Sequence, residues 1–409
     1  MALADPADGR RTGHMGHSIQ KNRDQKGSAT HPGRCQSGLT ASMAGPDNND
    51  IVLMLHLCKT SKETYTLDQA VGCYNCPFVP GNKSTFFGAR DQGPGTLRDK
   101  ERGMAFQLYY DFNSYLRQTF GCRVQKITLD AGLSCPNRDG SKGTGGCIYC
   151  NARGSGTGAF SQGQNIRQQL LEAQIALERR YKAKKFLAYF QSFCNTYAPL
   201  PVLKSLYQEA LSVKDMVGLT IGTRPDCVPD SVLDYLYQLS QQTMVWLEYG
   251  LQSAHNKTLR RINRGHTVEE FQDAVSRTRQ RHLPICVHVI LGLPRESRED
   301  MLETARYLAS LDIQAVKIHL LYVIQGTPLE KWYHKGEYTC LERHEYAQYV
   351  AEFISHLPPW IIIQRLTGDP HRDELVAPAW ALEKQTNVKT IQETMKNLEL
   401  YQGKWFPQR

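Results

Sequence analysis

Cys135, Cys147 and Cys150 lie in one stretch, GLSCPNRDGSKGTGGCIYCN, from Gly132 to Asn151. Eleven residues separate the first two and two separate the last pair. Pro136, Gly140, Gly143, Gly145 and Gly146 fall between them, so the segment must bend back as a loop that gathers thiolates. Such a loop is built to hold a metal. A structural zinc ion wants four ligands and an iron–sulfur cluster normally takes one cysteine per iron, so three thiolates leave one iron of a four-iron cluster open. A second trio is Cys58 with the CYNC pair Cys73 and Cys76; that lone pair has no nearby histidine and no strand–helix setting, and the segment is read as an extension outside the fold.

The elements that position this loop follow from periodicity. Short β-branched runs are expected as strands at Val124–Asp130, Phe186–Phe193, Val217–Thr223, Val245–Gln252, Ile285–Leu293 and Ala315–Ile324. Amphipathic runs between them are expected as helices near Gln164–Lys182, Pro201–Val213, Ser231–Gln241, Val268–His282 and Arg298–Ser310. Six strands alternating with helices make an α/β fold with a parallel sheet, and the cysteine loop leaves the first strand at its carboxyl end, where such folds place their sites. A helix at Leu341–His356, a strand at Ile361–Leu366 and a helix at Asn387–Tyr401 are expected beyond it.

Period-two alternation sorts the polar residues. In VWLEYGLQ, Glu248, Gly250 and Gln252 share one face, and Leu247, Tyr249 and Leu251 the other. Gln191, His288, Lys317 and His319 are similar polar positions on neighbouring strands, and together they read as a lined pocket. Cys122, Cys194, Cys227, Cys286 and Cys340 read as small core residues, with Cys194 and Cys286 expected near the site.

The chain has 409 residues, a net charge of +9 and twelve cysteines. Its first thirty residues lack an apolar signal core, and no run reaches the roughly 18 apolar residues of a membrane span, so the expectation is a cytoplasmic, reduced protein with no membrane partner. There, clustered cysteines are metal ligands rather than disulfides. The charge fits a polyanionic partner without demanding one. Basic tracts at Arg179, Arg180, Lys182, Lys184 and Lys185, at Arg260, Arg261, Arg264 and His266, and at Arg277, Arg279 and Arg281 could contact phosphates or simply be solvated helix faces.

From Met104 to about Gln402 the chain resembles the YhcC-type radical S-adenosylmethionine (SAM) proteins. The segments KITLDAGLSCPNRDG, GGCIYC, QSFCNTYAP, GTRPDC, EYGLQS, RINRGHT, ILGLPRE and GDPHRDELVAP occur in that order. The long first cysteine spacing is similar to that of the Elongator catalytic subunit branch. The resemblance implies a partial (β/α)6 radical SAM barrel over residues 104–330, a C-terminal α/β extension over 331–409 that caps it, and an N-terminal extension over 1–103 that is poorly ordered or not native, with Met104 as the natural start.

It also implies a 4Fe–4S cluster on Cys135, Cys147 and Cys150, and SAM on its open iron. SAM would be held by the Gln191 region, Glu248, Gln252, Arg264 and the Gly292 turn, with Arg295 standing where glycine is frequent. Such enzymes pass one electron to SAM and release methionine and a 5′-deoxyadenosyl radical, which abstracts hydrogen; the reductant would be a flavodoxin or ferredoxin. The Elongator branch implies tRNA, modified at a wobble uridine side chain. Nothing after the barrel is long enough for an acetyltransferase domain, so acetyl-CoA-dependent carboxymethylation is not expected. Arg365, Asp369, His371 and Arg372, with Trp380 behind them, are candidates for capping the open side and contacting substrate. Two alternatives stand beside this reading: a radical SAM enzyme for a small molecule or peptide, and a non-catalytic zinc or iron–sulfur module, which would want a fourth protein ligand.

Overall fold

The computed structural model describes residues 107–407 apart from residues 152, 155 and 192. The expected N-terminal extension, with Ile51–Leu57 and the trio Cys58, Cys73 and Cys76, lies outside the described residues.

Seven parallel strands form one curled sheet in chain order: β1 (Val124–Leu129), β2 (Lys185–Phe190), β3 (Met216–Thr223), β4 (Met244–Gln252), β5 (Ile285–Leu291), β6 (Ala315–Leu320) and β8 (Ile362–Arg365). Sequential neighbours pair because each crossover carries a helix that covers the outer face: α2 (Ile166–Tyr181), α3 (Leu200–Leu211), α4 (Asp230–Ser240), α6 (Val268–Gln280) and α7 (Arg298–Ala309). All six expected strands and five expected helices form, within a few residues of their expected bounds. The sixth expected strand divides into β6 and the two-residue β7 (Val323–Ile324), and the run at Ile361–Leu366 becomes the seventh strand of the sheet.

Alternation divides the core in two. Odd positions of β4, Leu247, Tyr249 and Leu251, pack outward against the helices with Phe190, Phe271 and Tyr307. Even positions face the concave side. There α1 (Phe112–Phe120), capped by Asp111 at its start and Gly121 at its end, plugs the amino end of the barrel. Phe112 and Tyr115 set their rings edge-on to Trp246, and Leu187, Met244, Cys286 and Ile362 complete an apolar floor. Cys286 therefore lies at the opposite end of its strand from the cysteine loop, which corrects its expected place.

The two edges of the curled sheet meet through side chains: Lys126 Nζ on β1 donates to Gln364 Oε1 on β8 at 2.7 Å. The carboxyl end is covered by α5 (Asn256–Arg261), α8 (Pro328–His334) and an antiparallel pair between β7 and β9 (Leu375–Ala377). Helix α9 (Arg343–His356) packs against α7, and α10 (Lys384–Asn397) packs on α9 and completes the body. No helix among the described residues is long and apolar enough to cross a membrane.

Candidate active site

The cysteine loop leaves β1 and folds through its own backbone. Arg138 and Asp139 N–H donate to Cys135 O, Lys142 and Gly143 N–H to Pro136 O, and Gly146 N–H to Asn137 O. Gly146 has φ +74° and lies against Arg138, so a side chain there would sit 2.7 Å from the guanidinium. That guanidinium donates to Cys150 O and Asn151 O, both at 2.7 Å, and ties the two ends of the loop together.

Two other loops brace it. Asn137, 1% exposed, donates to Asn263 O, and Asn263 Nδ2 donates to Gly146 O at 2.7 Å. Arg224 in GTRPDC, 2% exposed, donates from Nη1 to Arg264 O at 2.7 Å and grips Asp226 with two bonds of 2.9 Å. Asp226 in turn holds Lys142 of the cysteine loop at 2.7 Å. Burial would lift the Asp226 carboxyl, but Arg224 and Lys142 outweigh it and hold it down at about 2.

Asn137, Arg224 and Asp226 are not among the residues expected from the sequence. The signal was present in a charged R-P-D triplet directly after β3, where a buried arginine needs a nearby carboxylate.

All three cysteines are free thiols. Cys150 is pushed up to about 11 by burial and by Cys147, with Cys135 also near enough to act on it. Burial raises Cys135 as well, against the opposing charges of Arg224 and Arg264. Both other thiols thus act on Cys150, so one loop brings the three together as ligands of one site. Thiols this reluctant to ionise unaided also fit a site where bound cationic iron favours the thiolate.

Next to Cys147 the other candidate residues converge on β4. Arg264 Nε and Nη2 donate to Gly250 O at 3.1 and 2.7 Å, and Nη1 points at Cys147 Sγ, 3.7 Å away. A β-carbon on Gly250 would stand 2.6 Å from both Arg264 Nη2 and Gln252 Nε2, so this glycine is the floor over which the two side chains meet. Gln252 follows a bulge and holds φ +77°, a strained value for a residue with a side chain. Tyr149 stands beside Cys147 with its hydroxyl buried.

Gln191 follows β2 directly, its N–H donating to Leu129 O. Gly292 takes φ +84° at the end of β5, its open side packed on Leu341 and its carbonyl accepting from Tyr338. Arg295, which stands where glycine is frequent in the family, has φ +62° and is exposed.

Glu248 is parted from this group. Its side chain is fully buried, with Oε1 2.6 Å from Lys126 Nζ and Oε2 bonded to Lys317 Nζ and, at 2.9 Å, to His288 Nε2. Burial would raise its pKa, yet the two ammonium groups and His288 hold it well below the usual carboxylate range. Burial and Lys126 draw Lys317 down to about 7 against the pull of Glu248, and burial with Lys317 draws His288 to about 4.

Of the candidates on the open side, Arg365 lies near this tier, close enough to act electrostatically on Tyr189, His288, Lys317 and His319. His371 and Arg372 are exposed on the loop before β9, with His371 3.6 Å from Asp373. That loop touches the end of the cysteine loop, where Asn151 Nδ2 donates to Glu374 Oε2 at 2.8 Å.

The basic tracts separate. Arg277, Arg279 and Arg281 are engaged by Asp273, Asp230, Asp312 and Asp234, so the ordinary reading of a solvated helix face fits them. Arg179, Arg180, Lys182, Lys184 and Lys185 lie where α2 ends and β2 begins, at the end of the barrel away from the cysteine loop.

A curled parallel sheet with a three-cysteine loop at the carboxyl end of its first strand defines a class, and family comparison agrees. The radical SAM superfamily profile matches residues 140–308 and the Radical SAM C-terminal domain profile matches residues 313–397; the chain belongs to the radical SAM superfamily. Within it the chain falls with the YhcC-type proteins. It is 40% identical to YtqA of Bacillus subtilis over 298 residues, 73% of this chain and 92% of that one. It is 41% identical to YhcC of Escherichia coli over 278 residues, 68% of this chain and 89% of that one.

A tRNA uridine(34) acetyltransferase of Methanocaldococcus infernus is 28% identical over 156 residues, 37% of this chain and 29% of its own length. The solved structure of Elp3 from the same archaeon shares the fold, with a TM-score of 0.51 at 18% identity over 68% of this chain and 64% of that one.

The protein is thus a radical SAM enzyme whose cofactors are a 4Fe–4S cluster and SAM, and it requires a reductant. Bound together, these groups supply one-electron cleavage of SAM and hydrogen abstraction by the resulting 5′-deoxyadenosyl group.

Proposed function

We propose that the chain remodels a side chain on the wobble uridine of tRNA. Similarity to a tRNA uridine(34) acetyltransferase over 156 residues supports this substrate. In this reading Cys135, Cys147 and Cys150 hold the cluster. Arg264 and Gln252, converging over Gly250 beside Cys147, bind the charged end of SAM, and a guanidinium there suits its carboxylate. Gln191 and the Gly292 turn border the same end. The fully paired Glu248 acts from deeper in the barrel, where it orders Lys126 and Lys317 instead of touching SAM.

The apolar floor made by α1 and Trp246 closes the amino end, so substrate enters from the carboxyl end past the loop carrying His371 and Arg372. The protein works in the cytoplasm, with a flavodoxin or ferredoxin as electron donor. Mass spectrometry of tRNA nucleosides from cells with and without the gene tests the substrate. The expected result is a shift between two wobble-uridine derivatives, and identical nucleoside profiles would overturn the reading.

A further inference from the structure

Above the apolar floor lies a tier of charge that cluster and SAM binding leave unused. Its cations, Lys126, Lys317 and Arg365, outnumber its one carboxylate, Glu248, whose oxygens are already taken by both lysines and His288. The Arg365 side chain has no hydrogen bond or ion pair among the described residues, yet its charge reaches Tyr189, His288, Lys317 and His319. Such a surplus inside a barrel is costly unless something negative meets it.

Two further polar groups around the tier are buried without partners, His319 Nε2 and Gln364 Nε2, and the buried Tyr189 hydroxyl lies beside Glu248. Tyr189 is only 3% exposed and lies under both ammonium groups, with Lys317 Nζ 4.0 Å and Lys126 Nζ 4.9 Å from its ring centre. His288 and His319 stack at 5.1 Å, and burial holds both of them neutral at pH 7. Native interiors leave few polar groups unmet, and here two occur together with a guanidinium that no described residue pairs.

The tier is also reachable. Lys126 keeps 18% and His288 14% of its side-chain surface, although both project into the concave side of the sheet. Thr128, one pleat above Lys126, is exposed.

A metal cation is the competing occupant, because Glu248, Cys286 and His288 bring ligand atoms within 4.8 Å of one another. Both ammonium groups sit on that carboxylate, however, so the local charge repels a cation. We propose that the tier of Lys126, Lys317, Arg365, Tyr189 and His319 receives an anionic group of the substrate, a carboxylate or a phosphate. This rests on the reading that substrate enters the barrel, and it adds what the inner end of that substrate carries. A guanidinium fork beside two ammonium groups suits either anion through charge-assisted hydrogen bonds.

The test uses full-length, cluster-loaded protein and two simple probes, acetate and inorganic phosphate, titrated against chloride at constant ionic strength while Tm is followed. Expected is a saturable rise in Tm with at least one probe and none with chloride. Arg365→Gln and Lys126→Met should each raise the half-saturating concentration at least tenfold. Saturation by acetate alone assigns a carboxylate, and by phosphate alone a phosphate ester.

The proposal is overturned if neither probe saturates with the wild type, or if wild type and variants respond alike. It is also overturned if SAM affinity, measured in parallel, falls together with the anion response, because the cations would then serve SAM. Wild-type saturation remains decisive should either variant fail to fold. Unchanged tRNA nucleosides alongside an intact anion response would remove the tRNA reading and leave this one standing.

Discussion

Glu248→Gln is the most informative single change for the architecture of the barrel. The substitution keeps shape and removes the charge that faces Lys126 at 2.6 Å, Lys317 and His288. It also turns an amide donor towards groups that are themselves donors. Removing one partner of a buried ion pair costs about 3–5 kcal/mol, because the other charge is left unmet. The lower end applies here: Lys317, already drawn down to about 7, can release its proton, and Lys126 keeps 18% exposure. About 3 kcal/mol at roughly 2 °C per kcal/mol for a body of this size predicts a fall in Tm of about 6 °C.

Adding Lys317→Met should recover part of that loss, since the two residues touch and their effects cannot be independent. Thermal unfolding of the single and double variants, followed by far-UV circular dichroism, measures both quantities. A fall below about 2 °C in Glu248→Gln, or strictly additive single effects, would refute the claim that this carboxylate locks the tier.

Other consequences follow from the same geometry. Lys317 binds its proton less readily folded than unfolded, so between about 7 and 10.5 the unfolded chain carries more protons and stability rises with pH; Lys317→Met should flatten that rise in denaturant titrations across the window. Gly250→Ala puts a methyl group 2.6 Å from Arg264 and Gln252, and equilibrium dialysis should show SAM binding at least about tenfold weaker, roughly 1.4 kcal/mol, with the far-UV spectrum unchanged. Arg295→Gly relieves an exposed left-handed residue and should raise Tm slightly, by about 1 kcal/mol or less in stability.

Much of this was legible in the sequence because its signals are local. The strand–helix alternation and the glycine-rich cysteine loop each depend on residues within one segment. The parity argument that placed Glu248 on the concave side would also have placed Lys126, since Val124, Lys126 and Thr128 share a face of β1. What stayed hidden depends on distant partners. Arg277 and Arg281 look like a free basic tract until folding brings Asp230 and Asp234 from another helix beside them.

The seventh strand was assigned to an extension because only register with β6 shows that Ile362 and Ile363 continue the sheet. β7 and β9, with two and three residues, are too short to show any period. The tier itself draws on β1, β2, β4, β5, β6 and β8, so only the curled sheet assembles it.

The central claim is that Cys135, Cys147 and Cys150 hold one cluster with an open iron for SAM. Its most direct measurement is anaerobic reconstitution of the full chain with iron and sulfide, then dithionite, SAM and bulk tRNA, with 5′-deoxyadenosine quantified by mass spectrometry. The account predicts about four irons per wild-type chain and 5′-deoxyadenosine from it, with both lost in Cys147→Ala. A full iron complement in Cys147→Ala, or a fully loaded wild type that yields no 5′-deoxyadenosine, would contradict it.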